Sequence, residues 1–271
     1  MRQSHKGFFA LACLFLLAFF LVGSASAEAK WPTEPGKNVK KDGKLQIDVT
    51  SISEGYFHAG LQSKNKHKMK LRVTKGDNQL TYDLNSDAKY EIFPLQYGDG
   101  KYTIALYENV SGKKYSAAGK ITINVTLSSQ DICYYYPNQY VNYTPETDPV
   151  LVAEELCKNM SQKEAYDAIC AYMSKNFVYD FLKAVNIKAG VLPDIDTCYS
   201  KRMGVCQDLS AICISMMRTQ GIPARLMIGY ADKNYHAWVE TDFGGKSYFF
   251  DPTAAVNGIS KVKEYSVERF Y

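Results

Sequence analysis

The sequence predicts an α+β protein in which an all-β region precedes a unit of helices packed on an antiparallel sheet. Between about residues 45 and 127, apolar and polar side chains alternate in short runs, with Gly-rich turns between some of them. After residue 148, apolar residues recur at helical spacing, and three more strand-like runs follow residue 224. The length of 271 residues suits two modest domains or one large one.

The first 27 residues have the composition of an export signal. A short basic start with Arg2 and Lys6 is followed by an apolar stretch, Phe8–Val22, and by small residues that end at Ala27. This order predicts a signal peptide at residues 1–27, cleaved after Ala27. An uncleaved membrane anchor is the alternative, but the stretch is somewhat short for a span. We therefore predict a secreted or cell-surface protein without stable membrane insertion after cleavage.

The charge balance argues against a polyanionic partner. Removing residues 1–27 leaves 30 basic and 28 acidic residues, a net charge of +2. This value predicts no nucleic-acid binding, and the Lys-rich piece at residues 64–70 is interpreted as a solvated strand or loop.

Six cysteines remain in the mature chain, and their spacing does not indicate a metal site. No Cys-x-x-Cys pair or His cluster occurs, so we expect no structural zinc and no cofactor. Cys170 and Cys213 lie on apolar helical faces and are interpreted as small buried hydrophobic residues. Cys133, Cys157 and Cys198 are left open between disulfides and free thiols.

The N-terminal half predicts a β-sandwich. Residues 28–43 are rich in Pro, Gly and Lys, which predicts a linker, and residues 44–128 predict six or seven short strands. Strands of this number and length favour an immunoglobulin-like or fibronectin-like sandwich. His58 and His67 are interpreted as solvent-facing strand residues. The composition leaves spacing, substrate presentation and surface binding open as roles for this region.

A Tyr-rich segment at residues 129–149 connects the two parts, and we expect its rings to pack at the junction rather than to line a groove. Two helices are predicted next, from residue 148 to 160 and from 161 to 175. The second begins with a capping box formed by Ser161 and Glu164. A loop broken by Gly and Pro follows, in which two carboxylates, Asp194 and Asp196, are too few to indicate a calcium site.

Cys206 opens an apolar run at helical spacing that Gly221 and Pro223 end, which predicts a helix of roughly four turns with the thiol at its N-terminus. A helix N-terminus stabilises a nearby negative charge and so favours the thiolate form. His236 and Asp251 lie on neighbouring predicted strands joined by a Gly244-Gly245 turn. Opposed residues of such strands lie about 5 Å apart, so a nucleophile, a base and an orienting carboxylate can meet here.

Four motifs around these residues resemble the core of the transglutaminase-like superfamily over about residues 160–260. They are Gly204-Val-Cys-Gln-Asp, Gly221-Ile-Pro-Ala-Arg, Tyr235-His-Ala-Trp-Val and Phe250-Asp-Pro-Thr. The resemblance implies a papain-like α+β domain at residues 150–271, with Cys206 as nucleophile, His236 as base and Asp251 as its partner. It also implies acyl transfer through a thioester on Gln carboxamides or peptide amides of a protein or peptide substrate, with a primary amine or water as acceptor.

One departure from that family concerns the oxyanion. The backbone N–H of Cys206 is one expected donor, and animal transglutaminases resemble one another in using an upstream indole as the second. The only tryptophans here are Trp31 and Trp238, which weakens any inference of calcium dependence or Gln–Lys crosslinking. The remaining candidates for the second donor or the substrate pocket are Gln207, Tyr199, Tyr235 and Trp238.

Two alternatives stay open at this stage. One is a cysteine peptidase acting on proteins or, in a secreted bacterial protein, on cell-wall peptides. The other is a non-catalytic secreted binding module whose three active-site positions are vestigial.

Overall fold

The computed structural model describes residues 28–259, 262 and 264–271, and it has a mixed α+β architecture with antiparallel sheets. The predicted signal peptide at residues 1–27 lies outside the described residues. Within the part of the chain that the structure describes, no helix has both the length and the apolar character needed to cross a membrane.

The N-terminal part consists of two four-stranded antiparallel sheets with the strand orders β1-β2-β3-β6 and β5-β4-β7-β8. The ring of Tyr82 on β5 packs edge-on against Phe93 on β6 at 5.1 Å and joins the two sheets. Alternate residues of β4 and β5 enter the core between them. The strands are β1 (Val39–Asp42), β2 (Leu45–Asp48), β3 (Tyr56–Leu61), β4 (Met69–Lys75), β5 (Asn78–Leu84), β6 (Glu91–Pro94), β7 (Gly100–Ser111) and β8 (Lys114–Val125).

Two of these strands were not predicted. Strand β1 lies inside the predicted linker at residues 28–43 and pairs with β2 through a turn at Gly43, where φ is +54°. Its side chains are largely exposed, so it has no apolar alternation that would reveal a strand. Strand β6 is only four residues long and ends in Pro94.

The prediction that His58 faces solvent is wrong, because only 6% of this residue is exposed. All six residues of β3 are buried, so the strand is covered on both faces. Part of the cover comes from the N-terminal lead-in, where the backbone N–H of Thr33 donates to Tyr56 Oη at 2.9 Å, and part from Tyr136, whose ring lies 4.6 Å from that of Tyr56. His67, in contrast, is exposed as predicted, but it lies in the loop between β3 and β4 and not on a strand.

The C-terminal part contains six helices and six strands among the described residues. The capping box of the second helix is confirmed, since Ser161 Oγ accepts from the Glu164 N–H and Glu164 Oε2 accepts from the Ser161 N–H. The helices are α1 (Asp148–Leu156), α2 (Gln162–Asn176), α3 (Phe181–Asn186), α4 (Ile195–Lys201), α5 (Cys206–Thr219) and α6 (Pro252–Val256). The strands are β9 (Val178–Tyr179), β10 (Met203–Gly204), β11 (Ala224–Ala231), β12 (Asn234–Phe243), β13 (Lys246–Phe250) and β14 (Tyr265–Phe270).

Part of the predicted loop before Cys206 is helix α4. Asp194 accepts a hydrogen bond from the Thr197 N–H at 3.1 Å and so caps this helix. The carboxylate at position 194 therefore has a local structural role.

Helix α5 is the centre of the C-terminal part. Most of its residues are buried all around its axis, because it packs between the helices and the sheet of order β13-β12-β11-β14. The predicted turn between β12 and β13 is confirmed, with φ of +58° at Gly244 and +72° at Gly245.

The Tyr-rich segment mainly packs, as predicted. Tyr134, Tyr136 and Tyr143 are buried, whereas the ring of Tyr140 stacks on Tyr271 at 3.7 Å and also borders the cavity described below. The six cysteines of the described chain are free thiols, which answers the disulfide question that the sequence left open.

Candidate active site

Cys206 is the first residue of α5, and the turn before it is held by a buried carboxylate. Asp208 accepts hydrogen bonds from the Val205 N–H at 3.0 Å and from Lys183 Nζ at 2.7 Å through Oδ2. Its Oδ1 accepts from the Asp194 N–H at 3.1 Å. Asp208 is fully buried, so these bonds fix the first turn of the helix and the position of the thiol.

Steric crowding explains why a glycine occupies position 204 in the same motif. A Cβ placed on Gly204 would lie 2.8 Å from the Asp208 Cβ, which is closer than such carbon atoms approach. Gly204 therefore allows Asp208 to fold back over the helix start.

His236 and Asp251 meet as predicted, but they are not directly opposed residues of two strands, because the register continued by one residue places Asp251 opposite Trp238 and Asp251 is the N-cap of α6. The β12–β13 ladder ends at the Val239–Phe250 pair, and Asp251 is the next residue along the chain. The distance from His236 Nε2 to Asp251 Oδ2 is 2.8 Å. Asp251 also caps α6, because its Oδ1 accepts from the Ala254 N–H at 3.0 Å. The carboxylate is thereby held in one orientation towards the imidazole.

The two side chains stabilise each other's charged forms. Burial by itself would lower the pKa of His236, but its hydrogen bond to Asp251 and its interaction with the Cys206 side chain raise that pKa to about 9. Burial would raise the pKa of Asp251, yet the hydrogen bond and charge of His236 outweigh burial, and the pKa is lowered. At neutral pH the pair is therefore an imidazolium and a carboxylate.

A cavity of about 410 Å³ opens over Cys206 and His236. Two cationic residues, Lys188 and Arg269, line it, and its described lining contains no Asp or Glu. Arg269 Nη2 donates to Tyr235 Oη at 2.5 Å, while its Nε has no hydrogen-bond partner among the described residues. The walls are formed by Tyr140, Tyr179, Ala184, Ile187, Lys188, Ala189, Gly190, Val191, Val205, Cys206, Gln207, Ile228, Tyr235, His236, Ala237 and Arg269.

The model of the transglutaminase-like superfamily matches residues 152–252, a range that contains Cys206, His236 and Asp251. This region is a transglutaminase-like domain. Strand β14, which carries Tyr265 and Arg269, lies beyond the matched range.

Solved structures align with the chain at low identity. A candidate cysteine protease from Cytophaga hutchinsonii is 17% identical with a TM-score of 0.40, and the alignment covers 86% of this chain and 90% of that one. The periplasmic domain of TgpA from Pseudomonas aeruginosa bound to ethylmercury is 15% identical with a TM-score of 0.38, covering 85% and 80%. Red sea bream transglutaminase is 16% identical with a TM-score of 0.28, covering 73% of this chain and about half, 48%, of that one. No match was found among curated proteins.

Of the four predicted pocket residues of the transglutaminase-like domain, two line the cavity over Cys206 and two do not. Gln207 and Tyr235 do so, and Gln207 Nε2 also donates to the Val191 carbonyl at 2.9 Å. The other two lie elsewhere. The Tyr199 hydroxyl is hydrogen-bonded to that of Tyr172 at 2.8 Å, and Trp238 is fully buried, with Nε1 donating to Glu240 at 2.9 Å.

A different tyrosine, Tyr179, borders the cavity that contains Cys206. It lines the cavity, and its pKa is raised to about 12, first by burial and then by the charge of Cys206. Tyr179 is brought there by β9, which pairs in parallel with β10 just before Cys206. Tyr179, and not Tyr199, is therefore the tyrosine of this region that borders the cavity.

Sequence reasoning also missed Tyr265. Its hydroxyl donates to Asp251 Oδ2 at 2.8 Å, and this bond contributes to the lowered pKa of Asp251. The ring packs on Trp238 at 4.9 Å and on Phe249 at 4.8 Å. No local pattern marks Tyr265, because it reaches the site only through the pairing of β14 with β11.

The variant Tyr265→Phe is expected to lower kcat by about tenfold, because one charge-assisted hydrogen bond to the orienting carboxylate is lost. Steady-state rates of the wild type and the variant measure this effect. Tyr230→Phe, an exposed residue of β11, is the matched control and should leave the rate unchanged. A wild-type kcat in Tyr265→Phe would contradict a role for this hydroxyl.

No group of three or more His, Cys, Asp or Glu side chains in the described parts of the chain is arranged to hold a metal ion.

Proposed function

We propose that this chain is a thiol-dependent acyl-transfer enzyme that acts on Gln carboxamides or peptide amides through a thioester on Cys206. The observation that carries the proposal is the 2.8 Å His236–Asp251 pair beside a cysteine at the N-terminus of α5, inside a cavity of the transglutaminase-like domain. A vestigial site would have no reason to retain all three groups in mutual reach.

The reaction begins with attack of the Cys206 thiolate on the carbonyl carbon, which forms a C–S bond and moves the π electrons onto oxygen. The Cys206 N–H and the Tyr179 hydroxyl are the candidate donors to this oxyanion. Collapse of the intermediate breaks the C–N bond, and the His236 imidazolium protonates the departing ammonia or amine.

The second half of the reaction releases the acyl group. Neutral His236 takes a proton from the acceptor as the acceptor attacks the thioester, and the C–S bond breaks to regenerate the thiolate. Asp251 keeps the imidazole in the required tautomer and stabilises its cationic form.

The charge of the cavity favours water as the acceptor. Lys188 and Arg269 line it without a carboxylate in the described lining, and a protonated lysine acceptor would be repelled on entry. We therefore propose deamidation or peptide hydrolysis ahead of transamidation. Peptide hydrolysis at this site would make the chain a cysteine peptidase acting on proteins or cell-wall peptides, an alternative that the same charge pattern favours.

The organisation around this site is also a proposal. We propose residues 44–128 as an immunoglobulin-like or fibronectin-like sandwich, which the strand orders β1-β2-β3-β6 and β5-β4-β7-β8 support. Residues 150–271 are then the catalytic domain. Secretion or cell-surface location is supported by the composition of residues 1–27.

The experiment incubates mature protein with Gln-containing peptides, with and without a primary amine, and follows products by mass spectrometry. Cys206→Ala is expected to lower product formation by at least about 10³-fold, because the nucleophile is removed. Cys170→Ala is the matched control, since this partly buried thiol on α2 lies outside the cavity.

Three outcomes separate the alternatives. The mass increase expected when the NH₂ of a Gln carboxamide is replaced by OH supports hydrolysis, and so does cleavage of the peptide. Amine incorporation lost in Cys206→Ala would establish transamidation and contradict the preference for water. No product, together with a Cys206 thiol that iodoacetamide alkylates no faster than free cysteine, would favour a binding module.

A further inference from the structure

The cavity over Cys206 carries two positive charges that no acid in its described lining balances. Lys188 and Arg269 both line it, and neither is in an ion pair with a described residue. The Asp251 carboxylate lies outside the lining, and its two oxygens already accept three hydrogen bonds. An anionic group that a ligand brings into the cavity therefore meets positive charge without a competing carboxylate.

The guanidinium of Arg269 is held in place by a neutral partner. Its Nη2 donates to the Tyr235 hydroxyl at 2.5 Å, and its central carbon lies 6.0 Å from the centre of that ring. Burial raises the pKa of Tyr235, so the phenol accepts this bond without neutralising the arginine. Nη1 bonds to no described residue and is not one of the buried atoms without a partner, so it retains surface that a ligand can reach. A carboxylate is the acceptor that a guanidinium binds best.

The second cation comes from a separate element. Lys188 is exposed and follows α3 by two residues, and its ammonium has no partner among the described residues. Its backbone is ordered by the turn in which its carbonyl accepts from the Val191 N–H at 3.3 Å. Helix α3 is itself anchored, since Lys183 Nζ donates to Asp208 at 2.7 Å. The ammonium is therefore a flexible charge on a fixed part of the cavity wall.

The rest of the lining suits a chain with few charges. A volume of about 410 Å³ lies in the range of pockets that enclose a drug-sized ligand, which is comparable to a few residues. Apolar side chains form much of the wall, so a single carboxylate on an otherwise uncharged segment fits better than a polyanion. These apolar residues are Ala184, Ile187, Ala189, Val191, Val205, Ile228 and Ala237.

The strand register gives the distance between the guanidinium and the reacting centre. Ala237, the residue after His236, pairs with Ile228, and Ile228 pairs with Arg269. Neighbouring strands lie about 4.8 Å apart, so the backbones of Ala237 and Arg269 are separated by about 10 Å. An extended peptide advances about 3.3 Å per residue, and about 10 Å corresponds to about three residues. A carboxylate within that reach of the reacting amide can contact the guanidinium.

We propose that Lys188 and Arg269 bind a carboxylate of the substrate that lies within about three residues of the amide reacting at Cys206. The inference rests on the proposed function and names its substrates as acidic polypeptide segments. The carboxylate belongs to an Asp or Glu side chain or to the C-terminus of the substrate, because both sources present the same group.

The test uses peptides with a single Gln and an amidated C-terminus, in which Glu, Met or Lys occupies each of about three positions on either side of that Gln. A further set has uncharged neighbours and a free C-terminal carboxylate at the same distances. We expect kcat/KM to be about tenfold higher with Glu than with Met and about tenfold lower with Lys, mainly through KM. The free C-terminus set is compared with its amidated counterpart in the same way.

The variants assign this preference to the two cations. Lys188→Gln and Arg269→Gln each remove one charge and should lower the Glu-to-Met ratio of kcat/KM about threefold, while Lys188→Glu should lower it further and improve the Lys peptides. Lys246→Gln is the matched control and should retain the wild-type ratio. This lysine is exposed at the far end of the same sheet and lies outside the cavity.

The outcomes separate the carboxylate site from the reaction. Equal kcat/KM for Glu, Met and Lys peptides and for both kinds of C-terminus would overturn the proposal, and so would a preference that survives both Gln variants. A preference seen only with a free C-terminus supports the site and identifies the chain end as its ligand.

If wild-type protein turns over no peptide, the proposed function fails, and binding still decides the carboxylate site. Fluorescence anisotropy then compares labelled Glu and Met peptides on Cys206→Ala protein. Binding about tenfold tighter for the Glu peptide, and weakened by Lys188→Gln or Arg269→Gln in that background, supports the site. Equal binding of the two peptides refutes it.

Discussion

Replacing Asp251 by Asn is expected to lower kcat by about 10³- to 10⁴-fold. Asp251 Oδ2 accepts from both His236 and Tyr265, while Oδ1 accepts from the Ala254 N–H. If the amide introduced at position 251 keeps its oxygen on the Ala254 N–H, its NH₂ group takes the place of Oδ2. It then faces the donors of His236 and Tyr265 and cannot accept from them. The imidazole then loses the acceptor that holds its tautomer, although the shape of the site is nearly unchanged.

The same substitution should shift the dependence of kcat/KM on pH. The negative charge of Asp251 helps to raise the pKa of His236 to about 9, so its removal lowers that pKa. The imidazolium that protonates the leaving group is then lost at lower pH, and the alkaline limb of the profile moves towards neutrality. Asp196→Asn, on the exposed side of α4, is the control and should retain the wild-type profile. An unshifted profile with a rate loss below tenfold would contradict the assigned role of Asp251.

Replacing Arg218 by Leu is expected to destabilise the protein by about 3–5 kcal/mol. Arg218 lies fully buried on α5, and its guanidinium donates to the backbone carbonyls of Tyr136, Ala224 and Tyr271. Leu would fill part of the volume but leave these carbonyls without those donors. The substitution thus removes the bonds that tie the Tyr-rich segment and the C-terminus to the central helix.

Urea unfolding measures this loss, which should appear as a lower midpoint with an unchanged slope. Arg225→Leu is the control, since its ion pair with Asp242 is partly exposed and should contribute at most about 1 kcal/mol. A loss below about 1 kcal/mol in Arg218→Leu would show that the carbonyls find other donors.

Arg218 also bears on the active site. The Tyr271 carbonyl follows directly on β14, the strand that carries Tyr265 and Arg269. The Arg218 bond to this carbonyl is therefore one of the contacts that hold the end of β14 against the rest of the domain.

Local patterns were sufficient to predict the centre of the site. The helix behind Cys206 follows from apolar residues at a period of 3.6 ended by Gly221, and the strand with His236 follows from its β-branched and aromatic residues and a Gly-Gly turn. The β12–β13 hairpin brings Asp251 to the same end of the sheet as His236, but the direct contact also depends on the position of Asp251 at the N-cap of α6, because the register alone would place it opposite Trp238. The prediction that His58 is exposed was wrong, because β3 is buried on both faces and such a strand has no alternation of buried and exposed residues.

The sequence by itself determined the order of secondary structure around Cys206, His236 and Asp251, since each depends on residues close along the chain. Only the tertiary structure decided which other groups reach them. Tyr265 arrives on β14, whose largely exposed residues have no strand pattern of their own, and Tyr179 and Tyr140 arrive through segments with no periodic signal. Such contacts join residues that are far apart in the sequence. They are therefore decided by how whole helices and strands pack around α5, and local sequence preferences do not reveal them.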